Sequence, residues 1–162
     1  MKILKLVGIV LAIAFAAIQF IRPAKNIAAD GSPQHIVNIV DVPAEIRTIL
    51  DNACADCHSD NTRYPWYAEV QPVGWLLERD VMEGKKHFNM SQFGAGRSSI
   101  QAHKLEEIET EVGDEEMPPA AYQWMHPEAK LTAEQRSRLI EWTNAARNQI
   151  KARNLVDSVQ QR

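Results

Sequence analysis

Both cysteines of this chain and one of its five histidines fall within Cys54-Ala55-Asp56-Cys57-His58. That spacing admits three chemistries. A redox dithiol of the thioredoxin type requires its C-x-x-C at a strand-to-helix junction in a βαβ pattern, and no alternating strands flank this motif. A structural zinc site requires four ligands, so Cys54, Cys57 and His58 would need a distant histidine. The third chemistry is covalent haem attachment, of which C-x-x-C-H is the signature. Two thiols three residues apart on one helical turn point the same way. They can form thioethers with two vinyl groups on one porphyrin edge, and the next imidazole can then reach the iron. A disulfide between residues i and i+3 of a helix has poor geometry and closes almost no loop.

A low-spin electron-transfer haem takes a sixth ligand, and His/Met ligation raises its potential. Gly113-Asp114-Glu115-Glu116-Met117-Pro118-Pro119 places a methionine before two prolines, on a stiff extended loop 59 residues after His58. Met117 is thus the candidate distal ligand. The rivals are His87 and His103, with Met82, Met90 and Met125 behind them; Met125, next to Trp124, is expected to pack in the core. Arg63, Tyr64 and Trp66 follow the motif closely. They offer either pocket and propionate contacts or ordinary core and surface.

These residues need elements to carry them. Asp41-Val42-Pro43 reads as a helix start, a capping residue followed by proline. Ile46, Ile49, Leu50, Ala53, Cys54 and Cys57 then recur at helical spacing, and Ser59 to Thr62 closes the helix. A second helix is expected from Val73 with Gly84 as its stop. A third runs from Ser98 to Glu111, with Ile100, Leu105, Ile108 and Val112 inward. The last is capped at Thr132 and carries the stripe Leu139, Trp142, Ala146 and Ile150. It is expected to pack on the cysteine helix and clamp the haem edge. His35 to Val40 reads as a short extended segment.

The chain divides into a leader over 1–25, a linker over 26–40, a body over 41–150 and a polar tail over 151–162 expected to fray. In the leader, Lys2 and Lys5 precede an apolar run from Leu6 to Ile21. Sixteen helical residues cover roughly 24 Å, short of a hydrocarbon core of roughly 30 Å, although Lys5 and Arg22 can snorkel. This is a signal peptide, with Ala14-Phe15-Ala16 as cleavage site, or a short uncleaved anchor. Either way the body is expected to be exported, periplasmic or extracytoplasmic. The leader holds four basic residues and no acid, so residues 26–162 carry 14 basic and 21 acidic side chains. That balance excludes nucleic acid as a partner. It suits a basic redox partner, which the run from Glu106 to Glu116 could steer, or else simple solubility.

The stretches CADCHSDNTRYPWYAEVQPVGWLLERDVMEGKKHFNMSQF and EMPPAAYQWMHPEAKLTAEQRSRLIEW resemble the bacterial haem-binding domain family related to monohaem cytochrome c. The resemblance covers roughly residues 35–145. It rests on C-x-x-C-H-S, Y-P-W-Y, the Gly-x-x-His-x-Asn-x-Ser segment and Met-Pro. It implies an all-α, cytochrome c-like domain around one covalently attached haem c. Cys54 and Cys57 are the thioether sites, His58 is the proximal ligand and Met117 the distal one. The implied function is electron transfer at the exported face of a bacterial membrane with an unidentified redox partner, and not an enzymatic one. A peroxidase-like haem, or a small-ligand sensor with an open distal site, is the alternative.

Overall fold

In the computed structural model, which describes residues 1–28 and 31–160, the chain is helical. Eight α-helices run in order: α1 Lys2–Ile18, α2 Ile36–Ile39, α3 Ala44–Ala53, α4 Ala55–His58, α5 Val73–His87, α6 Ser98–Gly113, α7 Ala120–Met125 and α8 Ala133–Gln160. Short 3-10 turns cover Trp66–Glu69, Met90–Ala95 and Pro127–Ala129. Among the described residues the extended pairing is one isolated antiparallel bridge, Ile27 to Asn61.

The frame is the pair α6 and α8, which pack on each other more extensively than any other elements. The α8 stripe Leu139, Trp142, Ala146 and Ile150 is buried as its spacing predicts. Leu105 and Val112 of α6 are buried as well, together with Ile46, Ile49 and Leu50 of α3. The α8 start is a reciprocal cap: Gln135 N–H donates to Thr132 Oγ1 (3.1 Å), and Thr132 N–H donates to Gln135 Oε1 (2.9 Å). The box therefore closes on Gln135, three residues on, and not on Glu134. The expected contact of α8 with the cysteine helix exists through α3, but α6 is its main partner.

Several expectations are corrected. Asp41 does not cap α3; Pro43 occupies the cap position, and the Asp41 carbonyl accepts from Trp142 Nε1 instead (2.8 Å). The cysteine helix is two helices, because Cys54 leaves helical geometry at φ −126°, ψ −39°. Residues 35–40 form the single turn α2 and not an extended segment. Ile36 and Val40 are buried in the core, so the packed body begins before residue 41. Ile100 is exposed, and Gln101 is buried in its place with its amide on the Gly96 carbonyl (2.7 Å). Met125 is exposed while Met90 is in the core. The tail does not fray at its start: α8 continues to Gln160, and Arg153 donates to the Ile39 carbonyl (2.8 Å).

The leader forms α1 with none of its residues buried. No helix among the described residues is long and apolar enough to cross a membrane. The chain that follows α1 is stitched to the body. Gln19 exchanges two hydrogen bonds with the Gln71 backbone (2.9 and 3.1 Å), and Trp75 Nε1 donates to the Ile21 carbonyl (2.8 Å). Arg22 and Lys25 both pair with Glu69. Asn26 binds Tyr64 Oη, the Ser59 carbonyl and Thr62 Oγ1 at 2.7–2.9 Å, and accepts from Lys85 (2.6 Å). The first residues of the expected linker are thus packed against the loop that leaves the C-x-x-C-H motif.

Candidate functional site

The motif sits where α3 gives way to α4. The Cys54 carbonyl accepts from His58 N–H (2.9 Å) and Cys57 N–H (3.3 Å), so one tight turn carries all three side chains. Both thiols are free. Burial, then Cys57 and Asp51, push the Cys54 thiol up to about 12; burial, then Asp56 and Asp80, push Cys57 up to about 11. A redox dithiol needs the opposite shift, because the thiolate is the nucleophile. Among the described residues there is also no group of three or more His, Cys, Asp or Glu placed to hold a metal ion.

His58 is oriented from a distance. Its Nδ1–H donates to the Phe88 carbonyl at 2.9 Å, thirty residues along the chain. Burial holds the imidazole below its ordinary range, against the pull of that carbonyl. A carbonyl can only accept, so Nδ1 carries the proton of this contact and the neutral ring has its lone pair on Nε2. This is the state a metal-ligating imidazole requires, and a carbonyl on the other nitrogen is its usual partner.

The segment that supplies this carbonyl is organised around the motif. Gly84 does not stop α5, which continues to His87. A Cβ on Gly84 would lie 2.6 Å from the Cys57 carbonyl oxygen, so α5 crosses the motif at a distance only glycine permits. Asn89 and Gln92 donate to the two Asp60 oxygens (2.8 and 3.0 Å), Lys85 pairs with Asp60 (2.8 Å), and Asp60 N–H donates to Ser91 Oγ (3.0 Å). Burial opposes the Asp60 charge, but these donors prevail and hold its carboxyl down at about 2. The Gly-x-x-His-x-Asn-x-Ser spacing is legible in this light. Gly84, Asn89 and Ser91 grip the motif and its exit, whereas His87 points to solvent beside Glu83.

Sequence reading missed Asp56, which ties the motif to its surroundings. It is buried and accepts from Arg63 N–H (3.0 Å), from Arg63 Nε and Nη2 (3.0 and 3.2 Å) and from Tyr122 Oη (2.7 Å). Its carbonyl accepts from Thr62 Oγ1 (2.6 Å). Arg63 is therefore a bidentate strut on the motif, with its Nη2 also on the Asp51 carbonyl (2.8 Å). Tyr64 turns its hydroxyl to Asn26 and its ring beneath Lys25. Trp66 is 79% exposed and meets Tyr67 edge to face. His126 is the other missed residue: it stacks on Tyr122 at 4.3 Å and bonds Tyr67 Oη at 2.7 Å. A histidine four residues after a tyrosine, on one helical face, is the signal that could have found it.

Met117 lies on the loop between α6 and α7, 37% exposed. Its N–H and that of Glu116 both donate to the Glu111 carbonyl (3.1 and 3.0 Å), and Glu115 takes a left-handed turn at φ 62°. The loop is thus tied to α6 on one side. On the other it is tied to the motif, through α7 and the Tyr122–Asp56 bond. His103 is exposed on α6 beside Glu107 (3.2 Å), at a cavity of about 320 Å³ that also borders Arg147 and Lys151 and that none of Cys54, Cys57 and His58 lines.

These residues fit a haem. Two sulfurs and a lone-pair-bearing imidazole share one turn, α5 is shaped by Gly84 to approach it, and apolar side chains on the bordering elements face outward, Trp66, Met82, Met117 and Trp124 among them.

A family model described as haem-binding domain matches residues 13–145, starting inside α1 and well before the region whose motifs are recognisable by eye. Cytochrome c peroxidase Ccp of Escherichia coli strain K12 is 28% identical over 112 residues, which are 65% of this chain and 23% of that protein. The chain therefore spans less than a quarter of the length of this relative. No solved structure matches. With the family match spanning most of the sequence and the oriented histidine at its centre, the chain belongs to the haem-binding domain family.

Proposed function

We propose that this chain is a monohaem c-type protein that transfers electrons. The observation that carries the reading is the His58 imidazole, held by the Phe88 carbonyl with Nε2 free, on the same turn as Cys54 and Cys57. Cys54 and Cys57 would hold the porphyrin as thioethers, and His58 would ligate its iron. When bound, the haem supplies outer-sphere one-electron chemistry, with potential tuned by ligands and burial. The chain's own task is to keep the ligands still in both valence states. Phe88, Gly84 and the Arg63–Asp56–Tyr122 strut do this on the proximal side.

Met117 is the distal ligand in this reading. Its loop is anchored at Glu111 and through α7, so little ordering remains to be done when the thioether binds. His87 and His103 are solvent-exposed and face Glu83 and Glu107, which favours Met117 over them. The apolar α1 supports an exported protein held at a membrane, and the acidic body supports a basic redox partner.

The test is a pyridine haemochrome spectrum and an intact mass of the chain exported from a host competent in cytochrome maturation. A thioether-type spectrum and one added haem mass are expected; a colourless protein at bare-chain mass overturns the reading. Met117→Ala should keep the haem, lower the potential and admit carbon monoxide. The named activity of the E. coli relative favours a second reading, a distal position that opens to peroxide. A five-coordinate spectrum of the untreated protein would select it, and a Met–iron charge-transfer band would select the carrier.

A further inference from the structure

Beside the motif lies a column of hydrogen bonds and ring contacts that haem attachment does not use. Tyr67 Oη and His126 Nε2 are 2.7 Å apart. The Glu128 carboxylate stands 3.4 Å from His126 Nδ1, which places the imidazole proton on Nδ1 and leaves Nε2 to accept from the phenol. His126 stacks on Tyr122 at 4.3 Å with ring planes 18° apart, and the Tyr122 hydroxyl donates to Asp56, the residue directly before Cys57. On the far side Tyr67 meets Trp66, which is largely in solvent. The column thus runs from the motif to the surface. Its centre is a phenol hydrogen-bonded to a base whose tautomer a carboxylate sets.

That arrangement suits one-electron oxidation. A phenol that loses an electron becomes a strong acid, and an accepting nitrogen at hydrogen-bond distance lets the proton leave in the same event. The burial of Tyr67, with Asp56 and Glu128 nearby, keeps the phenol above its ordinary range and therefore protonated beforehand.

We propose that Tyr67 is a redox-active tyrosine, with His126 as its proton acceptor, linking the haem to the surface at Trp66. The oxidant is hydrogen peroxide, which takes up two electrons and two protons to become two waters; Tyr67 would relay those electrons one at a time towards a bound haem, its phenolic proton moving to His126 Nε2 at each passage. The imidazolium is held by Glu128. A small one-electron reductant arriving at Trp66 returns the electron, and the proton goes back to the Tyr67 oxygen. The link to the haem rests on the functional reading above in its peroxide-reactive form; the Tyr67–His126 pair does not.

The experiment has two arms on the full exported chain. In the first, a photogenerated ruthenium(III) polypyridyl complex oxidises the protein from solution, and phenoxyl absorption and electron paramagnetic resonance are recorded. The wild type should show a neutral tyrosyl radical, and Tyr67→Phe should lose it although Tyr64 and Tyr122 remain. His126→Gln should form it roughly a hundredfold more slowly, the scale a positioned proton acceptor contributes. An undiminished radical in Tyr67→Phe, or an unchanged rate in His126→Gln, overturns the proposal. In the second arm hydrogen peroxide replaces the photo-oxidant, and the same radical is expected. A radical in the first arm but none after peroxide, with the haem spectrum intact, overturns the link to the haem. Absence of haem in the starting spectrum is instead the failure of the functional reading. Matched circular dichroism of the variants separates these results from unfolding.

Discussion

The α6–α8 frame and the region around α4 are built from different materials. The frame is apolar: Leu105 and Leu139 are fully buried, and Trp142, Ala146 and Ile150 nearly so. Around α4 the contacts are mostly polar. Asp56, Ser59, Thr62 and Ser91 are buried polar residues, and each is hydrogen-bonded. The apolar side chains bordering that region, such as Trp66 and Trp124, face outward. Dispersion and hydrophobic burial are non-directional and make a stable frame. Hydrogen bonds are directional, contribute modestly to stability and specify geometry. The molecule thus places its stability in one region and its angular precision in another, where a ligand's orientation matters.

Substitutions can break this division. The largest loss of stability is expected from Leu139→Ala, about 4 kcal/mol, since a fully buried leucine leaves a cavity in the frame. Denaturant titration measures it, and haem per folded molecule should stay constant. A fall in that ratio would mean that the frame also sets the site.

Asp56→Ala comes next. Removing the acceptor of Arg63 and Tyr122 should cost about 3 kcal/mol, less than for a fully buried pair because Arg63 is half exposed. Haem incorporation should fall further than stability does, as read by the ratio of haem absorbance to protein. Equal incorporation would reduce Asp56 to ordinary packing. Gly84→Ala should cost about 2 kcal/mol, because α5 must back away from the Cys57 carbonyl. It should also lengthen the His58–Phe88 hydrogen bond, visible as a shifted imidazole Nδ1–H resonance; an unmoved resonance would detach α5 from control of the ligand. The smallest effect belongs to Thr132→Ala at the α8 cap, about 1 kcal/mol, with the haem spectrum unchanged. A changed spectrum there would show the two regions to be coupled end to end.

Much of the frame was readable from periodicity. The α8 stripe is spaced by three and four residues, and the Thr132 cap announces the start of that helix, because both depend on neighbours within one or two turns. Readings that needed to know what lies opposite failed. Gly84 looks like a stop because glycine is a poor helix former, yet it is kept inside α5 by a carbonyl 27 positions earlier. Ile100 and Met125 look like core and are exposed, and Gln101 is buried against Gly96 where Ile100 was expected. Arg63, left open between a pocket contact and an ordinary surface residue, pairs with Asp56.

For the candidate site, local sequence determined the identity of the groups brought together. The C-x-x-C-H segment brings two sulfurs and an imidazole together wherever it closes as one tight turn, here on the Cys54 carbonyl, since local backbone geometry sets that spacing. Only the tertiary structure decided how the imidazole is oriented and which nitrogen carries its proton. The Phe88 carbonyl, the Tyr122 hydroxyl and the Asn26 amide reach the motif and its exit from 30 to 66 residues away. A side chain's type is written in the chain, but the direction of its hydrogen bond belongs to whichever distant element packs beside it.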